Sequence, residues 1–429
     1  MSADTSVEGA PTVRGGSLTM AVGLVLLGIS ASVYLVTSAR AVGPVEFASV
    51  STLWTLIYTF GIGAFLPFEQ ELGRAFADRR ARGLGALPLV RRVALAAAAC
   101  LGVLLAVGAV LSPLLVDRLF GGEWTHFFAL ALALSVMSAQ YVSRGMFSGA
   151  GRFSWYSGQL GVEGVVRIIA CLCLLAVGVH ASGPYVWLLV LAPLLGLLFT
   201  LPGLRGLARP GPPASWAEVS GNLGWLLLGG VCAQGVANGA MVALQLLAPD
   251  GGAAGQFLAA FVIARVPLFL FQGVQAVLLP GLAAALAAGD RQAFGVKLKG
   301  VFGATGAVAL AGVLGAAVAG PWALGLLFGD EFGLGRAHLT ALAGATGLYM
   351  LAQVFQAGLV ALGRHRENAL SWAFALVVFV LACLAPLEPL ARVEVALIAS
   401  CAVAAVVLGL CLTAARPVQT NRRPSEMAS

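Results

Sequence analysis

The sequence predicts an all-α polytopic membrane protein, with about twelve transmembrane helices in two parallel six-helix repeats. Three observations carry that class. Sixty per cent of the 429 residues are apolar and 10% are charged, with a mean hydropathy of +0.95; soluble domains hold roughly 45–50% apolar and about 25% charged residues. Twelve apolar runs approach or exceed the roughly 20 residues that a helix needs to cross a hydrocarbon core of about 30 Å. Finally, Pro113-x5-Leu119-Phe120-Gly121-Gly122-Glu123-Trp124 returns 208 residues later as Pro321-x5-Leu327-Phe328-Gly329-Asp330-Glu331-Phe332. Leu66-Pro67 and Leu279-Pro280 repeat at an offset of 213, and Gly151-Arg152 and Gly363-Arg364 at 212. Landmarks in one order at one period mark a unit used twice. An even number of spans per unit gives both copies the same orientation, related by an axis along the membrane normal.

The spans fall in order near 17–39, 45–68, 93–116, 126–147, 158–180, 184–204, 219–247, 255–286, 300–320, 337–362, 369–387 and 394–415. They divide the chain into a tail (1–16), an N-terminal six-helix lobe (17–204), a linker (205–218), a C-terminal six-helix lobe (219–415) and a second tail (416–429). Pro210, Pro212 and Pro213 punctuate the linker. The first tail is polar and has no cleavable signal pattern, so the first span is expected to be retained. The two Leu-Phe-Gly loops follow spans three and nine and are expected to be equivalent structural turns.

Arg and Lys resist transfer and stay cytoplasmic. With the N-terminus inside, the inner segments hold nineteen of the 25 basic residues, while the outer ones hold Arg40, Arg118, Arg336 and Arg392; Arg167 and Arg265 lie within spans. Both tails are therefore expected in the cytoplasm. The net charge of +7 is a topology signal and gives no argument for nucleic acid. The inner loop from Arg74 to Arg92 is placed to sit against anionic headgroups, at about 1 kcal/mol per basic residue. All seven cysteines lie in apolar spans without the spacing of a zinc or redox site, and the four histidines have no metal-like spacing. Twenty-three Arg against two Lys, with abundant Ala and Gly, points to a GC-rich bacterial genome.

Polar side chains inside spans mark pathways because each charge costs about 2.5–3.5 kcal/mol to insert. Span one carries Ser30, Tyr34 and Thr37 on one stripe, and span two Ser51, Thr55 and Tyr58. In span five, Glu163 and Arg167 stand four apart, the favourable order for an intrahelical pair. Span seven carries Gln234, Asn238 and Gln245; span eight carries Arg265, Gln272 and Gln275, with Pro267 offering a break; span ten carries Thr346, Tyr349, Gln353 and Gln356. Such amides and hydroxyls also serve as interhelical hydrogen bonds worth about 0.6 kcal/mol each, so both readings stand for each residue. Gly145-x3-Gly149 and Gly235-x3-Gly239 favour close helix contact. Arg265 has no acid on its own helical face; its alternative is an acid on another helix, for which Glu163 is the one deep candidate.

Thr37-Ser-Ala-Arg40-Ala-Val-Gly43-Pro44-Val-Glu46-Phe47, Leu278-Leu279-Pro280 with Gly289-Asp290, and the paired Leu-Phe-Gly loops resemble polysaccharide transporters, the Wzx-type flippases of the multidrug/oligosaccharidyl-lipid/polysaccharide (MOP) exporter superfamily. The resemblance covers nearly the whole chain. It departs at Gly281, where many relatives carry a basic residue. It implies a central cavity lined by spans one, two, seven and eight, and alternating-access transport of a polyprenyl-diphosphate-linked oligosaccharide across a bacterial plasma membrane. On that basis the substrate-binding candidates are Arg265, Arg167, Glu163, Gln272, Gln275, Gln234, Asn238, Tyr34 and Tyr58. Partners are the lipid-linked glycan and membrane lipids; contacts with polysaccharide assembly enzymes are left open. No cofactor is expected, and coupling to a proton or sodium is left open.

Two other classes compete. A MATE-like or major-facilitator exporter would move a small soluble compound; Gly73-x4-Asp78-Arg79-x2-Arg82 lies in the right loop, but its spacing is one residue long and Ala81 replaces the expected glycine. A membrane glycosyltransferase or polymerase needs an acid, base or metal constellation at the membrane face, which outer loops of at most about 16 residues leave little room for. The chain is therefore expected not to be an enzyme.

Overall fold

The computed structural model describes residues 13–414 apart from 217, 220, 249–251, 269–270 and 272–289. These residues form helices α1 (Val13–Ala81), α2 (Leu87–Val110), α3 (Ser112–Leu114), α4 (Trp124–Gly149), α5 (Phe153–Ala176), α6 (Ser182–Leu204), α7 (Leu223–Leu247), α8 (Ala253–Ala264), α9 (Arg291–Phe328), α10 (Arg336–Ala361), α11 (His365–Ala382) and α12 (Pro389–Ala414). No strand occurs among them. The all-helical, multi-span class expected from the sequence holds.

Spans one and two form the single long run α1, divided at one residue. Gly43 adopts φ 74°, ψ 170°, open to a residue without Cβ, and Pro44 starts the second limb with a ring that fits the first turn of a helix. Span nine is longer than its apolar run: α9 covers 38 residues, roughly 57 Å at 1.5 Å per residue. The Asp290 carboxylate caps its start by accepting from the Ala293 N–H at 2.8 Å. Span eight is helical to Ala264 and is interrupted at Arg265, two residues before Pro267.

Contacts sort the connections onto two faces. On the linker face, Arg80 donates to the Ala150 carbonyl, Leu87 N–H to Arg209 O at 2.9 Å and Arg152 to Gly203 O at 2.8 Å. On the opposite, loop face, the His180 ring lies 2.9 Å from Ala41 O and Gly252 abuts Pro44. Between the faces, large apolar side chains such as Leu95, Val103, Val110, Val318 and Leu410 are exposed, a surface that only lipid covers favourably. Trp124, Trp187 and Trp322, all near the loop face, are also exposed, as befits an interfacial aromatic belt.

The first six spans pack mainly on α1, which touches α4, α5 and α6; in the second half α7 packs on α11 and α12, and α10 on α9 and α12. The Gly145-x3-Gly149 face of α4 lies flat on Glu69–Phe76 of α1, and Gly235 and Gly239 of α7 on Leu376 and Phe379 of α11. The halves meet where α1 contacts α7 and α8. There Gly63 and Gly230 approach so closely that a Cβ on Gly230 would lie 2.6 Å from Gly63 O.

The repeated loops cross between halves. Arg40 of the first half donates to the carbonyls of Leu326 and Leu327, the latter at 2.6 Å, and Phe47 meets Phe332 edge-on at 5.8 Å. Reciprocally, the turn Leu115–Leu119 of the first half packs on α7. Their backbones differ: the first copy is a π-turn ending in Gly121 and Gly122 at φ 61° and 88°, the second a 3₁₀ turn after Gly329 at φ 101°. The copies thus occupy corresponding places in the two halves with different local turns.

Candidate functional site

Two buried polar clusters stand among the apolar spans. The first is built on α5, where Glu163 and Arg167 lie one helical turn apart and pair at 2.6 Å, as their spacing predicts. Arg167 also donates to Ser30 Oγ at 3.1 Å and is 1% exposed. From α4, Gln140 donates to Glu163 Oε2 at 3.0 Å and to Pro193 O at 2.8 Å, while Arg144 donates to Gln140 Oε1 at 3.1 Å and reaches Glu163 Oε2 at 3.5 Å. Glu163 therefore lies between two guanidinium groups. Nearby, the buried Glu69 carboxylate accepts from Tyr156 Oη at 2.8 Å, and the Arg144 guanidinium lies 5.0 Å over the Tyr141 ring.

Sequence reasoning found Glu163 and Arg167 but missed that Arg144, Gln140 and Glu69 join them. Arg144 counts as a topology charge in the linear reading, yet it is 6% exposed and paired. Its position inside the fourth apolar run, not after it, was the available signal. Glu69 Oε2, Arg144 Nε and Arg167 Nε are buried without a protein partner among the described residues, as are the hydroxyls of Thr55 and Thr59 on the same limb of α1. Polar atoms left this way are sites for water or a ligand.

The second cluster is built around Arg265, which caps α8. Its guanidinium donates to Asn238 Oδ1 at 2.9 Å and to the Ala237 carbonyl, and Asn238 donates in turn to Gln234 Oε1 at 3.0 Å. The charge sits 3.9 Å over the Phe261 ring. Ala237, Phe261, Thr346, Tyr349, Leu397 and Cys401 close a recess of about 10 Å³ around it, room for about one water. No carboxylate forms an ion pair with Arg265 among the described residues. Glu163, its one deep candidate partner, is taken by Arg167 and Arg144.

The other candidates divide. Gln272 and Gln275 lie outside the described residues. Tyr34 is fully buried and donates to Tyr185 O at 3.1 Å, tying α1 to α6, so its geometry is that of a packing residue. Tyr58 is half-buried and lies against Trp54 with ring centroids 4.7 Å apart and planes tilted by 38°. In the span-ten stripe, Gln353 donates to Tyr349 Oη at 2.6 Å, and Gln356 accepts from Trp372 of α11. Among the described residues no group of His, Cys, Asp and Glu is set to hold a metal.

Arg79, in the loop that resembles the major-facilitator motif, is taken up by the linker. It donates to Glu218 at 2.7 and 3.1 Å and to the carbonyls of Gly85, Pro212 and Pro213 at 2.9, 2.9 and 3.1 Å.

This architecture is that of known multi-span transporters. The chain superposes on an inward-facing MATE family transporter of the MOP superfamily with a TM-score of 0.68, 13% identity and coverage of 93% of this chain and 98% of that one. It superposes equally on the lipid II flippase MurJ in an inward closed conformation, at 0.68 and 12% identity over 92% and 87%. A variant of the MATE transporter VcmN of Vibrio cholerae gives 0.67 and 15% over 93% and 96%. In sequence, uncharacterized proteins of Mycobacterium bovis and Mycobacterium tuberculosis are 26% identical over 291 residues. Those alignments span 67% of this chain and 66% of each relative. No family model matches the chain. It is a multi-pass membrane protein with the fold shared by MATE transporters and MurJ.

Proposed function

We propose that the protein moves a polyprenyl-diphosphate-linked oligosaccharide from one leaflet to the other by alternating access, in the biosynthesis of a bacterial cell-surface polysaccharide. The observation that carries this reading is the charge of the deep site. Glu163 is paired with Arg144 and Arg167, while Arg265 forms no carboxylate ion pair among the described residues, so its guanidinium is left free to meet an anion. A planar guanidinium offers paired donors to a phosphate. The diphosphate would dock at Arg265, Asn238 and Gln234, with the glycan along the hydroxyl and amide stripes and the polyprenyl tail left in lipid.

The recess holds about one water, so the headgroup binds only when the halves separate on the linker face. The loop face is closed by the Arg40, Phe47 and Phe332 contacts, and these must part for release. With an inside-negative potential, two negative charges crossing the full field gain about 4.6 kcal/mol per 100 mV, from about 2.3 per charge. On that arithmetic the potential favours outward export.

A MATE-like exporter of a small soluble compound is the second reading, favoured by the match to MATE structures. The pairing of Glu163 with two arginines counts against an organic cation as its cargo. Purified protein in liposomes decides between them. Flipping of a fluorescent polyprenyl-diphosphate glycan, accelerated by a membrane potential negative on the substrate side, is expected; uptake of a soluble dye or sugar without glycolipid flipping would establish the second reading.

A further inference from the structure

On the linker face, a groove of about 570 Å³ opens between the start of α2 and the linker, lined by Leu87, Pro88, Arg91, Arg92, Leu95 and Trp216 with the backbone of 210–211. We propose that this groove binds the phosphate headgroup of an anionic phospholipid from the surrounding bilayer.

Its polar lining is two guanidinium groups and no carboxylate. Arg91 is exposed and makes no hydrogen bond or ion pair among the described residues, whereas Arg92 lies 4.9 Å over the Trp216 ring. The nearest acid on the linker, Glu218, is committed to Arg79. Both guanidinium groups line the one groove and offer it donors without a competing carboxylate, which suits a phosphate monoanion.

The apolar part of the lining selects a lipid over a free anion. Leu95, one helical turn beyond Arg91, is 71% exposed, and Val103, Val107 and Val110 continue an exposed apolar face along α2. Acyl chains can run down that face while the phosphate stays at Arg91 and Arg92. Trp216 is 59% exposed, and an indole at this level is at home among headgroups. Basic pockets between helices on the cytoplasmic side are established headgroup sites in other membrane proteins.

The groove is built and held. A Cβ on Gly85 would lie 1.8 Å from Pro210 O, and one on Gly211 2.4 Å from Gly85 O, so the two backbones touch. The Leu87 N–H bond to Arg209 and the four bonds from Arg79 to Pro212, Pro213 and Glu218 fix the linker as the groove's second wall. The site rests only on the chain spanning a membrane, so failure of the glycolipid reading would leave it standing.

Native mass spectrometry of the full chain, titrated with phosphatidylglycerol, phosphatidylcholine or inorganic phosphate, tests the assignment. Phosphatidylglycerol is expected to be retained and phosphatidylcholine not, with retention weakened at least ten-fold in R91Q/R92Q and measurably in R91Q, whose side chain has no partner to lose. R82Q, on an exposed arginine paired with Asp78 outside the groove, should match wild type. Equal retention of both lipids, unaltered phosphatidylglycerol binding in R91Q/R92Q, or full displacement by millimolar inorganic phosphate would each overturn the proposal.

Discussion

At the residue scale, the decisive contrast lies among the arginines within the apolar spans: Arg144 and Arg167 pair with Glu163, whereas Arg265 forms no carboxylate ion pair among the described residues. Glu163 is 5% exposed in its side chain and holds both Arg167 and Arg144. Removing one partner of a buried pair leaves charge uncompensated and typically costs about 3–5 kcal/mol. Glu163→Gln should therefore lower the free energy of unfolding in detergent by an amount of that order; an unchanged unfolding midpoint would mean the pair is solvated and structurally idle. Glu218 gives a pH dependence outside the membrane. The hydrogen bond from Arg79, helped by the Ser215 N–H, lowers its carboxyl from the ordinary 4.5 to about 2. A depressed carboxyl stabilises the charged, folded form, so the linker clamp is complete above about pH 4.5 and is lost as pH falls through about 2. Proteolysis or hydrogen exchange of residues 205–216 should rise over that window in wild type and be elevated already at neutral pH in Glu218→Gln. The Glu163–Arg167 pair was legible in the sequence because i,i+4 geometry is local. Arg144 was not, because its partner lies on the next helix and only packing of α4 on α5 brings them together.

At the element scale, apolar runs marked where helices cross, but their ends were set by features that hydropathy does not weigh. The boundary between spans one and two shrinks to Gly43, and α9 extends past its apolar run because Asp290 caps a helix that polar residues continue. The motif Arg40 to Phe47 was legible as the turn between spans one and two. Its engagement with the repeated loop of the other half was not, since it depends on how the halves dock. That engagement predicts a gate. Arg40→Ala removes both bonds to the Leu326 and Leu327 carbonyls, and amide exchange across 326–332 should increase several-fold with no comparable change in α4 or α12. Exchange unchanged in that loop would show that Phe47 and Phe332 hold the face without Arg40. At the other contact between halves, Gly230→Leu would set side-chain atoms against Gly63 O. It should abolish monodisperse folding or separate the halves, either of which is visible by size-exclusion chromatography and thermal melting.

At the scale of the whole molecule, the repeat, the charge distribution and the hydropathy made the class readable: a multi-span helical protein of the fold that MATE transporters and MurJ share. Cargo was less readable, because one fold is shared by a multidrug resistance transporter and a lipid II flippase, so the proposed cargo rests on a few deep side chains. Those side chains sit where the two halves have diverged: Arg265 in the second half stands where the first half carries the hydroxyls of span two. The central claim is that this unbalanced guanidinium recognises the diphosphate. The most direct test compares initial flipping rates of a polyprenyl-diphosphate glycan in liposomes containing wild type, Arg265→Lys or Arg265→Ala protein, with melting curves confirming that all three fold. The account predicts at least a ten-fold loss for Arg265→Ala and partial activity for Arg265→Lys, which keeps the charge but loses the planar fork; flipping by Arg265→Ala at the wild-type rate would contradict it.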